Sequence, residues 1–363
     1  MLRQLPLIFA CCLGHSMAAQ DVAAFIDPYN NFMLFDHGVF SKLEGQRPEQ
    51  FAVGGNNVAY IAYNGDLRVH ANGTTTTLDR TDGMRPVVTD NLIAFVNAGT
   101  LKVWDGRQMN SVCYNTDSFL AEDSLVAFFD GARSLLNVYY DGQVILLEDA
   151  LANWPVANWK AGDNVLAWVT TVEKKFKVLY RGGIYELNDL VQDMDYQVGR
   201  DIVAYQDASD KGFKVFNAGE LHDVEPFMPK SYQCGAGLVA YVDQNDELKV
   251  FQKGKVYSMM DFAPKEYFAR DSLVVARDGN QMLVFQNGAT HRVLQYWPTS
   301  WSVSWSTLAY ADNNGNVAAW HDGKSAIVIH GGPFEQMQLL RGLVLATRGS
   351  TTRVWWKNEV FSY

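Results

Sequence analysis

Ten copies of one pattern run through this chain and leave almost no room for anything else. Each copy has a small apolar residue followed by an aromatic, then a second apolar run, then a closing glycine. In the clearest copy Leu238-Val239-Ala240-Tyr241 is followed by Leu248-Lys249-Val250-Phe251 and then Gly254. Units of this kind cannot bury an apolar face alone; they form a core only against neighbours of the same shape. The repeat therefore constrains the architecture closely and leaves the activity nearly blank.

The small apolar anchor falls at Ala24, Ala59, Ala94, Ala127, Ala167, Ala204, Ala240, Val275, Ala309 and Leu345, in steps of 33 to 40 residues. The next residue is aromatic in Phe25, Tyr60, Phe95, Phe128, Trp168, Tyr205, Tyr241 and Tyr310; Ala276 and Ala346 are the departures. The closing slot holds Gly38, Gly73, Gly106, Gly142, Gly182, Gly219, Gly254, Gly288 and Gly323, with Asn358 in the tenth copy. Asn is the other residue that accepts positive φ at low cost, so the exception obeys the same rule.

Within each copy the apolar residues alternate or run in fours and fives rich in Val, Tyr, Phe and Trp, which points to strands. Asn72-Gly73, Asp141-Gly142, Asn287-Gly288 and Asp322-Gly323 are pairs suited to two-residue hairpins. A second turn precedes the anchor at Asp90-Asn91, Asp123-Ser124, Asp163-Asn164 and Asp271-Ser272, and another short run precedes that turn. Each copy thus reads as four antiparallel strands; in the eighth they are expected near 266–270, 273–277, 281–286 and 290–295. No long stretch carries a 3.6-residue apolar period, which argues against helical solenoids. Four short strands per roughly 36 residues fit a propeller blade, and a closed ring removes exposed sheet edges. The fold class is all-β: one propeller of about ten four-stranded blades spanning residues 20–363, with two smaller rings as the alternative. No Pro/Gly/Ser-rich linker marks a boundary between two bodies. The first copy begins at its second strand, so one three-stranded blade is expected where the ring closes.

Residues 1–19 have the form of a secretory signal peptide: Arg3, an apolar run from Leu5 to Leu13, then Ser16-Met17-Ala18-Ala19 for cleavage. The run is too short to span a membrane, and the mature chain is expected in the periplasm or secreted. The formal charge of −10 becomes more negative when Arg3 leaves, and no Lys/Arg cluster stands out. Such a body is a poor partner for nucleic acid or anionic lipid, and no direct membrane insertion is expected. Cys113 and Cys234 lie in the third and sixth copies, too far apart for a disulfide, so two free buried thiols are expected.

Catalytic and metal patterns are missing from the sequence. His37, His70, His222, His291, His321 and His330 include no His-x-x-x-His pair; His70 occupies an aromatic slot that packing explains. There is no Gly-x-Ser-x-Gly elbow and no phosphate-cradling loop. Asp207-Ala208-Ser209-Asp210, Asp243-Gln244-Asn245-Asp246 and Asp312-Asn313-Asn314-Gly315-Asn316 fall at one loop of the repeat, where Asp and Asn cap turns by bonding their own backbone. No catalytic, cofactor-binding or metal-ligating residue is nominated. Trp301 and Trp305 are the candidate binding residues: on one strand they share a face with Val303, where aromatics fill the space between blades or line a channel mouth.

The order of elements is an aromatic strand, a polar turn, a strand reading Ile/Val-Ala-Tyr/Phe, a strand ending in an aromatic, then Asp/Asn-Gly. It resembles the repeats of TolB-type and WD40-like bacterial periplasmic propellers over nearly all of residues 21–363. The turn before the Ile-Ala-Phe strand differs, reading Arg270-Asp271-Ser272 where the TolB type has Ser-Pro-Asp-Gly. The resemblance implies a non-catalytic body that binds other cell-envelope proteins. The expected function is an interaction scaffold, as an accessory subunit of an outer-membrane transport or secretion complex. A carbohydrate-binding or glycoside-processing propeller is the alternative, prompted by ten tryptophans and acidic loops.

Overall fold

Each anchor sits in the middle of a second strand and is wholly buried: Ala59, Ala94, Ala127, Ala204 and Ala240 are 0% exposed. They are small because the sheets on either side approach closely there. The computed structural model describes residues 22–80, 85–149, 159–189 and 194–363, and the expected leader lies outside them. These residues form ten antiparallel sheets, nine four-stranded and one three-stranded, each with its strands in chain order. The eighth has strands at Tyr267–Arg270, Leu273–Asp278, Gln281–Gln286 and Ala289–Leu294, within a residue of the expected bounds.

The sheets are blades of one ring. Ten apolar clusters fill the ten junctions; one joins Ile202, Ala204, Phe213 and Val215 of blade 6 to Tyr232, Val239, Tyr241 and Phe251 of blade 7. The aromatic after the anchor supplies much of this. Tyr60, Tyr205 and Tyr241 lie 5.1, 5.2 and 5.5 Å from Phe32, Phe176 and Phe213 of the preceding blade. Such tilted and edge-on pairs add to the area they bury.

Blade 1 is the three-stranded sheet, Val22–Ile26, Phe32–Asp36 and Val39–Glu44, as the truncated first copy requires. Among the described residues it packs against blade 10 through side chains: Ala23, Phe25, Met33 and Phe35 meet Leu343, Leu345 and Val354. The Tyr363 hydroxyl then donates to Asp27 Oδ2 at 3.0 Å. The closing glycines take positive φ, as at Gly254 (72°) and Gly288 (83°), and Asn358 in the tenth blade has φ 67°. Among the described residues Cys113 and Cys234 form no disulfide; Cys113 is buried, while Cys234 is only half-buried.

Strand order divides the ring into two faces. The turns joining strands one to two and three to four lie on one, here the turn face. The loops joining strands two to three, and each blade to the next, lie on the other, the loop face.

Candidate functional site

The innermost turn of each blade carries one residue four positions before the anchor. Around the ring from blade 2 these are Gly55, Asp90, Asp123, Asp163, Arg200, Ala236, Asp271, Trp305 and Arg341. Hydrogen bonds lace neighbouring turns together. The Gly55 N–H donates to Asp90 Oδ1 at 2.7 Å, Asp90 N–H to Asp123 Oδ1 at 3.1 Å, and Ser124 N–H to the Asp163 carbonyl at 3.1 Å. Farther round, Gly237 N–H donates to the Arg200 carbonyl at 2.8 Å and Ser272 N–H to that of Trp305 at 3.2 Å. Glycine just before this slot lets the backbones meet: a Cβ on Gly199 would overlap the Gly235 carbonyl oxygen, and one on Gly162 that of Gly199.

Side chains from this hoop close the channel at the turn face. Arg200 of blade 6 pairs with Asp163 and places Nη2 3.2 Å from Asp123 Oδ2. Arg341 reaches across from blade 10, pairing with Asp90 and donating to Asp123 at 2.8 Å. Both arginines touch Trp305 of blade 9, its ring 4.3 Å from one guanidinium carbon and 4.4 Å from the other. Cation–π contact with a desolvated guanidinium is worth about 2 kcal/mol. The three side chains and three aspartates span the ring from blade to opposite blade.

Burial dominates the electrostatics here. Glu122, next to the cluster, is pushed up to about 7 by burial and by the charges of Asp163 and Asp123. Asp123 and Asp163 are also raised by burial, even with Arg200 opposing the effect. Arg341 is lowered to about 10 by burial alone. Backbone geometry at the slot is costly as well: Trp305 (56°) and Arg341 (43°) have positive φ, a region bulky residues rarely occupy.

The loop face is built on different terms. At the start of the third strand its pairing with the fourth slips by one residue in blades 1 to 9. In five of them the residue after the slip is a cation: Arg68, Lys102, Lys177, Lys214 or Lys249. A bulge re-aims a side chain, and these point at loop carboxylates. Lys214 lies 3.0 Å from both Asp207 and Asp210 and 3.4 Å from Asp223; Lys249 lies 2.7 Å from Asp243 and 3.5 Å from Glu225. Asp207, Asp243 and Asp312 cap their loops as expected: Asp243 Oδ1 accepts from Asn245 and Glu247 N–H, both at 2.9 Å. Several such bonds hold Asp207 well below the usual carboxylate range, against the penalty of its burial.

The two sequence candidates part company. The inner strand of blade 9 ends at Ser304, so Trp305 belongs to the turn and to the channel cluster, its ring in contact with both arginines. Trp301, at the other end of that strand, is half-buried, 5.2 Å from Phe268 and 5.6 Å from Trp297. In the sequence Asp90, Asp123, Asp163 and Asp271 read as turn formers, and no motif marks Arg200 or Arg341. The available signal is the column itself: aligned on the anchor, one turn position switches from Asp to Arg to Trp around the ring.

A family model described as a 10-bladed beta propeller domain matches residues 16–361. No protein of curated function matches. Among solved structures, the computationally designed Ika8 protein is similar at 20% identity over 75% of this chain and 95% of that one, with a TM-score of 0.34. The WD40 ectodomain of the CRINKLY receptor kinase ACR4 of Arabidopsis thaliana is similar at 8% identity over 69% and 97%, with a TM-score of 0.33. PorZ, a surface component of the type-IX secretion system of Porphyromonas gingivalis, is similar at 9% identity over 93% and 64%, with a TM-score of 0.25. Scores this low say nothing about activity. The family match establishes ten blades without singling out the TolB type.

Proposed function

The chain belongs to the 10-bladed beta propeller domain family, and we propose that this member is a non-catalytic, exported scaffold that binds other cell-envelope proteins. Its place is in the periplasm, as an accessory subunit of an outer-membrane transport or secretion complex. The propeller fold supports a role in protein interaction. The observation that carries the reading is where the exposed rings lie. Among the described residues five large aromatics are more than half exposed, Tyr29, Tyr63, Tyr114, Phe227 and Phe262, and all five are on the loop face. Exposed aromatics gathered on one face mark a contact surface. The titratable groups at the channel, by contrast, are engaged with one another.

Affinity purification of the native protein from envelope extracts, read by mass spectrometry, tests this. A stable partner is expected, lost when Tyr29 and Tyr63 are both replaced by Ser. No partner under mild extraction overturns the reading. One observation favours the carbohydrate alternative: Trp305, Trp355 and Trp356 line a cavity of about 260 Å³ on the turn face with His321 and Arg341. A glycan array decides between them, with binding abolished by Trp356→Ala required for the sugar reading.

A further inference from the structure

Three cavities open side by side on the loop face over blades 5 to 7. The first, about 630 Å³, lies between Glu186–Asp189 and Asp207–Ser209. The second, about 410 Å³, is lined by Asp210, Lys214, Asp223 and Glu225. The third, about 300 Å³, lies between Glu225–Phe227 and Asp243–Asn245. The second and third share the wall formed by Glu225 and Pro226, and the first and second share the second-to-third-strand loop of blade 6. Together they make one trough.

We propose that this trough docks a lysine- or arginine-bearing segment of a partner polypeptide, with Phe227 as the apolar anchor. The proposal deepens the scaffold reading and rests on it. Charge carries it first. Seven carboxylates line the trough, Glu186, Asp189, Asp207, Asp210, Asp223, Glu225 and Asp243, against one lining ammonium, Lys214. Lys175 and Lys177 beside Glu186 and Lys249 beside Asp243 still leave an excess of negative charge. Hydrogen bonds and lysines hold Glu186, Asp210 and Asp243 below the usual carboxylate range, so the excess is permanent at neutral pH. Such a surface repels phosphate backbones and acidic peptides and steers cationic ones.

Apolar contact comes second. Phe227 stands 67% exposed between Pro226 and Pro229, on a segment held by the Gln244 side chain donating to the Met228 carbonyl at 2.6 Å. A rigid aromatic on a fixed loop loses little entropy when covered, which is what an interface anchor needs. Phe262, 52% exposed, occupies the same inter-blade position one blade on. It extends the apolar rim for a segment that crosses blades.

The test is fluorescence anisotropy of the full chain with a labelled peptide alternating lysine and leucine, against its glutamate–leucine counterpart. The lysine peptide should bind, the glutamate peptide should not, and affinity should fall steeply with added salt. Phe227→Ala should weaken binding about tenfold or more, and so should the double variant Asp210→Asn/Asp223→Asn. Both carboxylates of that pair are well exposed (57% and 85%), so the fold should be unaffected, as an unchanged melting temperature would verify. Asp322→Asn/Glu359→Gln on the turn face should change nothing. Equal binding of both peptides, or trough variants that bind like the parent, overturns the proposal. If the native partner is captured equally by Phe227→Ala, the trough is wrong and the scaffold reading stands. If no partner is captured at all, it is the scaffold reading that fails.

Discussion

The two faces of the ring use the same residue types to opposite ends. On the turn face, Arg200, Arg341 and Asp123 are between 10% and 17% exposed and meet across the channel. On the loop face, Lys214 and Lys249 are withdrawn from water with Asp207 and Asp243 inside single blades. The outer pair of Lys230 with Asp246 is 41% and 60% exposed and joins neighbouring loops. A charge withdrawn from water costs several kcal/mol unless paired, whereas an exposed pair is screened and nearly neutral in its effect. The difference separates what keeps the ring closed from what is left over to meet a partner. It also gives each region a distinct response to substitution and to acid.

The largest effect should come from the backbone hoop. Gly199→Val puts a branched side chain where the Gly235 carbonyl already sits, and no rotamer relieves an overlap at Cβ. We expect a loss of about 3 kcal/mol or more, up to failure to fold, read as the midpoint of urea unfolding. Gly349, on the loop face, has open space around its missing Cβ and only a positive φ of 55° to oppose a side chain. Gly349→Ala should cost only about 1 kcal/mol. Equal costs at the two sites would mean that the inner turns are not in contact.

Arg200→Met is next. It removes the partner of Asp163 and one of the two cations on Asp123, and takes away one of the two guanidinium contacts of Trp305. Breaking a buried pair on one side typically costs about 3–5 kcal/mol. Replacing Asp163 by Asn in the same chain should recover part of the loss, because Asp123 keeps Arg341 and the carboxylate left stranded is that of Asp163. A double variant no better than Arg200→Met alone would show that the cluster acts through packing rather than charge.

Much of the architecture is legible in the amino-acid sequence. Blade number and strand bounds follow from the spacing of anchors such as Ala204 and Ala240, since periodicity encodes repeated packing directly. The loop caps at Asp243 and Asp312 follow from local turn chemistry. The channel cluster does not. Arg341 and Asp123 are brought together by closure of the ring at ten, which no local pattern encodes. Alternation puts Trp305 on a strand that in fact ends at Ser304. The trough is hidden for a related reason: its carboxylates are visible as turn residues, but their convergence depends on which loops share a face.

Acid should separate the faces without any mutation. Glu122 has its pKa raised from an ordinary 4.5 to about 7, so the folded ring holds a proton there that the unfolded chain releases. That contribution grows as pH falls from about 7 to about 4.5 and is lost as pH rises back through that window. Asp207 has the opposite sign: its folded value lies below the ordinary 3.8, so its contribution is present above that pH and disappears below it. Thermal stability should therefore peak on the acid side, between about pH 4 and 6, and Glu122→Gln should flatten the rise between pH 7 and 4.5. A melting temperature that climbs steadily from pH 5 to 8 would contradict the buried, raised carboxylate.

The smallest effect sharpens the contrast most. Lys230 and Asp246 form a short pair, 2.6 Å, that on distance alone resembles the channel contacts. Both ends are in water, so the Coulomb gain is weak, the ordering of two long side chains opposes it, and salt screens the rest. Lys230→Met should change stability by less than about 1 kcal/mol, with no dependence on added salt beyond the parent's. The same substitution type at Arg200, a contact of similar length, should cost several times more. Measured side by side in urea, the two variants set one exposed pair against a buried cation held by Asp163, Asp123 and Trp305. If Lys230→Met proves as damaging as Arg200→Met, burial is not what sets the two faces apart, and the loop face would have to be counted as part of the ring's framework rather than as its contact surface.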